Sequence, residues 1–154
     1  DDGRSILAAW GYYSGSHGGY TYAYYFSNFS SEPTWYHNGV FDRGYHGVAE
    51  VSANGKYGTV ANAAENGYGP NWNLYDLSVT SSGSNAQLWT KAEGGYKGLD
   101  SVEVTNDGYV IVALGDQGDS FDRLYAKTGT KVWDYSYSEN SSNLDSSPSA
   151  ILIK

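Results

Sequence analysis

Apolar and polar residues alternate along this chain in runs of strand length, and the runs recur three times. Val102 and Val104 flank Glu103, Asn106-Asp107-Gly108 follows as a turn signal, and residues 109–114 form an almost unbroken apolar run. Alternation with a period of two predicts a half-buried strand, and a short apolar run between turn residues predicts a buried one. The same signals return at Val48 and Val51, at Asn54-Gly55 and over 57–63. They return again at Asp2-Gly3 and over 4–10. The glycines of the three copies, Gly3, Gly55 and Gly108, are spaced 52 and 53 residues apart. A tandem period near 50 is the mark of a repeat architecture.

Each copy parses into four short strands. In the third they are 101–105, 109–114, 123–126 and 131–137, with a polar loop at 115–120 and a Thr128-Gly129 turn. In the second they are 48–52, 57–63, 72–79 and 87–91, with a turn near Ser82-Gly83. The first copy has 4–10, a glycine-rich loop at 11–19, then 20–26 and 34–37, and lacks the strand that opens the other two. A matching apolar strand stands at the other end of the sequence, Ala150-Ile151-Leu152-Ile153-Lys154, where Ile153 corresponds to Val51 and Val104. The pattern predicts an all-β chain of one domain, 1–154, with repeats at about 1–45, 46–94 and 95–154. Residues 150–154 belong with the first repeat by circular permutation. The hairpin glycines should carry the positive φ that tight hairpin turns require.

The fourth strand of each copy carries a tryptophan, Trp35, Trp89 and Trp133, and the third an aromatic near its start: Tyr22 or Tyr24, Tyr75 and Tyr125. Large rings at a recurring place are expected to fill the gap between neighbouring sheets. The segment Arg123-Leu124-Tyr125-Ala126-Lys127-Thr128-Gly129-Thr130-Lys131-Val132-Trp133, followed by Ser146-Ser147-Pro148, resembles the repeat of quinoprotein-like β-propellers. That family alternates a Leu-Tyr-Ala strand, a Thr-Gly turn and a strand ending in tryptophan. The resemblance is good over 123–148, looser over 72–114 and weak before residue 50. It implies three four-stranded, blade-like repeats of a β-propeller. It does not imply quinone chemistry, because function lives in sites rather than in folds.

Composition narrows the partners. Sixteen tyrosines and 20 glycines among 154 residues, with abundant Ser, Asn and Thr, favour strands and turns over helices. The formal charge of −8 opposes binding to nucleic acid or anionic lipid. With no cysteine, disulfides and thiolate metal sites are excluded. No apolar run is long enough to cross a membrane as a helix. The scarcity of Glu, Lys and Arg beside Ser, Thr, Asn, Gly and Tyr points to an extracellular or cell-surface protein. The absence of methionine suggests a processed or excised chain.

Candidate chemistry is sparse. Asp116, Asp119 and Asp122 place three carboxylates in seven residues and are calcium candidates, but their order is not that of an EF-hand loop. The equivalent loops at 62–71 and 11–20 lack these aspartates, so the segment reads first as an acidic solvated loop. His17, His37 and His46 have no ligand spacing. Glu50 and Glu103 recur at one repeat position and read as ordinary strand residues on one face. Asn28 and Asn140 head N-x-Ser sequons and are glycosylation candidates. Tyr12, Tyr13, Tyr20, Tyr22, Tyr24 and Tyr25 crowd into 14 residues, as in a protein interface or a glycan-binding surface. No catalytic centre and no organic cofactor are expected.

Propellers usually have about four to eight blades, so three repeats need completion. The expectation is a non-catalytic structural protein whose partner is itself, assembling head to tail into a filament or closed ring by pairing of the termini. The assembly residues are Arg4, Ile6, Ala8 and Trp10 at one end and Ile151, Leu152 and Ile153 at the other. The alternative is a glycan- or ligand-binding propeller module.

Overall fold

The computed structural model describes residues 5–13, 19–42, 44–64, 70–93, 98–115 and 119–138. Among them the chain forms three antiparallel sheets and one helical turn. The first sheet has the order β1 (Ser5–Tyr13), β2 (Gly19–Ser27), β3 (Trp35–Asp42). The second is β4 (Gly44–Val51), β5 (Tyr57–Ala64), β6 (Asn71–Asp76), β7 (Gln87–Ala92), with the turn α1 (Gly83–Ala86) before β7. The third is β8 (Gly98–Val104), β9 (Val110–Gly115), β10 (Asp119–Tyr125), β11 (Lys131–Ser138). Every sheet is a meander of consecutive strands, and no closed barrel or propeller is formed among the described residues. Segments 1–4 and 139–154, with the expected terminal pairing, lie outside them.

The repeat is legible in the register. Val51 pairs with Gly58 and Ala49 with Val60, just as Val104 pairs with Val110 and Val102 with Val112. The joining turns place Gly55 at φ +67° and Gly108 at φ +82°, a region that side chains with a Cβ rarely adopt. The two turns also bond to each other: Asn54 N donates to Asn106 Oδ1 at 2.8 Å and Asn54 Nδ2 to the Asn106 carbonyl at 3.2 Å.

Several boundaries differ from the sequence expectation: β3 runs on to Asp42, β4 already starts at Gly44, β8 at Gly98 and β10 at Asp119. Two further differences have a local cause. The glycine-rich loop is shorter, because β1 and β2 stay in register through Gly11↔Thr21, Tyr12↔Tyr20 and Tyr13↔Gly19. The strand preference of the tyrosines outweighs the flexibility of the intervening glycines there. Conversely, β6 stops at Asp76 instead of running to 79. The Asp76 carboxylate accepts from Ser78 N at 3.1 Å and Ser78 Oγ at 2.6 Å, drawing the backbone into an Asx turn.

Burial explains the stacking. Leu7, Ala23, Tyr25 and Trp35 of the first sheet pack on Val60 and Tyr75 of the second, with Leu77 and Ala86 beside them. On its other face the second sheet offers Tyr57, Ala61, Trp72 and Leu74 to Val102, Val104, Val110, Val112, Leu114 and Tyr125. Strand β5 serves both junctions, since Val60 and Ala61 point to opposite faces. The central sheet is therefore buried on both sides, with the polar Asn62, Asn73 and Thr59 enclosed among its apolar residues.

One contact is common to the two junctions. Trp35 lies 5.1 Å from the Tyr75 ring and donates Nε1–H to the Val79 carbonyl at 3.0 Å. Trp89 lies 5.9 Å from the Tyr125 ring and donates Nε1–H to the Lys127 carbonyl at 2.9 Å. Each indole also covers a turn glycine of the sheet it meets, Gly83 for Trp35 and Gly129 for Trp89. The inter-sheet role expected of the tryptophans holds for these two. Trp133 instead remains 39% exposed; among the described residues no fourth sheet follows the third.

Candidate assembly surface

Among the described residues the first sheet has an open edge and an open face. In the sister sheets, β4 pairs with β5 and β8 with β9, and β5 and β9 each have strands on both sides. The corresponding strand β1 pairs only with β2, so it is the edge strand of its sheet among the described residues. A free edge carries a row of backbone donors and acceptors and is a ready template for another strand.

Alternation sorts the side chains of this sheet. Leu7, Thr21, Ala23 and Tyr25 turn inward and are buried. Ile6, Ala8 and Trp10 stand on the opposite face, across from Phe26, Tyr24 and Tyr22 in the β1–β2 register. There Ile6 is 44% exposed, Trp10 56% and Tyr36 58%. The rings contact each other: Trp10 meets Tyr22 at 5.6 Å and Tyr24 meets Tyr36 at 6.4 Å. Three of the sequence-derived assembly residues, Ile6, Ala8 and Trp10, thus share one open apolar face. Arg4, Ile151, Leu152 and Ile153 lie outside the described residues.

The tyrosine cluster separates by role. Tyr25 is core, Tyr20, Tyr22 and Tyr24 belong to the open face by alternation, and Tyr12 and Tyr13 continue β1. Tyr36 was not singled out by the sequence, although its register opposite Tyr24 follows from the antiparallel pairing.

The remaining candidates are scattered. Asn28 is exposed in the β2–β3 turn at φ +55°, next to Phe29 at φ +51°; Asn140 lies outside the described residues. Of the calcium candidates, Asp116 lies outside them, Asp119 opens β10, and Asp122 sits within that strand with Oδ1 buried and unbonded. Burial raises the Asp122 pKa. Among the described residues no group of three or more His, Asp or Glu is placed to hold a metal ion. His17 is outside them and His46 lies on β4.

Glu50 and Glu103 come from neighbouring strands β4 and β8. Burial raises both pKa values, and the Glu50 charge raises that of Glu103 further. Arg123 fastens the second sheet to the third, since it is ion-paired with Glu93 and, at 2.9 Å, with Asp134.

His37 is more telling. It lies on β3, half-buried, with Nδ1 3.0 Å from the Tyr75 hydroxyl, which also accepts from Asn73 Nδ2 at 2.9 Å. Burial holds its pKa below the usual 6.5. The folded state therefore binds this proton less readily than the unfolded chain. The associated stability is complete above the usual imidazole value and is lost as pH falls through the depressed folded value. Urea midpoints should accordingly drop between about pH 7.5 and about pH 5, and His37→Gln should show a smaller drop. An unchanged pH dependence in the variant would remove His37 from this role.

No family model matches the chain, and comparison with curated proteins finds no similar one. The likeness to quinoprotein-like repeats therefore rests on the sequence of residues 123–148 alone; the sheets show a repeated antiparallel β-fold. Among the described residues no helix is long and apolar enough to cross a membrane.

Proposed function

We propose that this is a non-catalytic, extracellular structural protein of propeller-like repeats that assembles with copies of itself head to tail. The observation that carries the reading is the open edge of β1, at the position filled by β4 and β8 in the sister sheets. The apolar segment Ile151-Leu152-Ile153 of one copy is our candidate for that position, because in sequence Ile153 corresponds to Val51 and Val104. Buried edge groups left unbonded cost about 1–3 kcal/mol each, so pairing the two ends relieves the edge and seats an apolar strand together. Such a heterologous contact closes into a ring when the rotation per copy allows it and otherwise runs on as a fibre. The extracellular placement is supported by composition alone.

Light scattering and negative-stain electron microscopy test this directly. The 154-residue chain should form discs or threads, and the same chain ending at residue 149 should be monomeric with its β-sheet circular dichroism retained. Equal assembly of the two would defeat the terminal-pairing reading. Glycan binding is the second reading, favoured by the exposed Trp10, Tyr20 and Tyr36 rings on one sheet; saturable binding on a glycan array, lost in Trp10→Ala, would promote it.

A further inference from the structure

The two internal junctions define what a third must look like. In each, the tryptophan of the fourth repeat strand lies over an aromatic on the third strand of the next sheet. Its Nε1–H bonds a carbonyl in the turn that follows that strand. The aromatics of the accepting faces are equivalent in register: Tyr75 stands opposite Gly58 and Tyr125 opposite Val110. At the same spacing of 52 residues the first sheet has Ile6, and opposite Ile6 stands Phe26, so the counterpart of Tyr75 and Tyr125 is Phe26 and not the expected Tyr22 or Tyr24. Phe26 is followed by the 27–34 turn, the counterpart of the turns that accept Trp35 and Trp89. It presents Phe29 at 63% exposure.

The donor is open too. Trp133 pairs with Leu124 as Trp89 pairs with Leu74, which places it on the face of the third sheet turned away from the second. Among the described residues its indole N–H meets no acceptor, while Val132 and Tyr135 beside it on β11 are exposed. Ile111 and Ala113 at the centre of the same face are buried, whereas Trp133 on its β11 side is 39% exposed. Among the described residues the chain thus carries one unused donor half, Trp133, and one half-buried acceptor half at Phe26, of a junction it builds twice internally.

We infer that Trp133 of one copy docks on Phe26 and the 27–34 turn of the next, and that its Nε1–H bonds a carbonyl of that turn. The occupant is a second copy of this chain, because both internal junctions seat an indole of this repeat on the equivalent aromatic and turn. The inference deepens the head-to-tail reading by naming the side-chain lock that accompanies strand pairing. It also gives direction: the third sheet of one copy meets the first sheet of the next.

The chain is free of cysteine, so single cysteines report this contact cleanly. Trp133→Cys and Phe26→Cys are purified separately, mixed and oxidised with a mild disulfide exchange buffer. A mixed disulfide dimer should form faster than either homodimer, and a Tyr109→Cys control on an exposed site elsewhere should give none of this preference. In parallel, Trp133→Ala should weaken assembly about 30-fold or more, the size of a buried tryptophan hot spot, and Trp133→Phe should recover only part of it. Circular dichroism and the urea midpoint check that the variants fold. Wild-type assembly with unchanged affinity in Trp133→Ala and no preferred mixed disulfide would overturn this lock while leaving terminal pairing standing. A wild-type chain that stays monomeric at all concentrations would overturn both.

Discussion

Trp35→Ala should cost about 3–5 kcal/mol of folding stability, the largest loss expected from any single truncation at the first junction. Trp35 is 4% exposed and packs against Tyr25 at 5.3 Å and Tyr75 at 5.1 Å. Removing the indole leaves a cavity bounded by two sheets that are each held by their own hydrogen bonds, so neither can collapse freely into it. The Val79 carbonyl loses its donor as well. A domain of this size has only about 5–15 kcal/mol in total, so the variant should unfold at much lower urea or fail to fold at ordinary temperature. Trp35→Phe separates the two effects, because it keeps most of the apolar area and loses the hydrogen bond; about 1–3 kcal/mol is expected. Trp133→Ala is the control: it removes the same residue type at the same repeat position where no sheet among the described residues covers it, and monomer stability should change by less than about 0.5 kcal/mol. Equal urea midpoints for Trp35→Ala and Trp133→Ala would mean that the indole between sheets is not what joins them.

That contrast marks what the chain's pattern disclosed and what it did not. Alternation and turn glycines were enough for the hairpins at Gly55 and Gly108, because a half-buried strand must alternate and a tight hairpin must reverse at a residue that tolerates positive φ. The recurrence of tryptophan likewise located the two sheet junctions. Its difference in exposure between Trp35 and Trp133 is invisible locally, since it depends on whether another sheet comes next. The end of β6 was misplaced because a single carboxylate, Asp76, bends the backbone where propensity alone would continue a strand. The open face of the first sheet was half legible: Ile6, Ala8 and Trp10 alternate plainly, but the partners that complete it, Tyr36 and Phe26, are set by cross-strand register. Inter-sheet distance was not legible at all, because no periodicity distinguishes a glycine that relaxes a loop from one that admits a neighbouring backbone.

Gly47→Val tests that last point, and should destabilise the fold by about 3 kcal/mol or more, at the upper end of overpacking costs. Gly47 lies within β4, where no turn calls for a glycine. A Cβ added there would stand 2.7 Å from the Ala9 Cβ, 3.1 Å from the Ala9 carbonyl carbon and 3.3 Å from the Trp10 nitrogen. Two of those three atoms are backbone of β1, so relief requires moving a whole strand and with it the packing of Leu7 and Trp35. Gly58 gives the comparison. Its added Cβ would meet Leu7 Cδ2 at 2.6 Å and the two Leu77 methyls at 3.3 Å, all of them side-chain ends. Those methyls can give way by rotation, so Gly58→Ala should cost less than Gly47→Ala despite the shorter nearest contact. Ala9→Gly in the Gly47→Ala background should recover part of the loss and not all of it, because the backbone contacts remain. Urea midpoints of the four variants rank these costs. A Gly58→Ala protein less stable than Gly47→Ala, or full recovery by Ala9→Gly, would show that β1 and β4 are free to separate and that backbone proximity does not fix the spacing of the first two sheets.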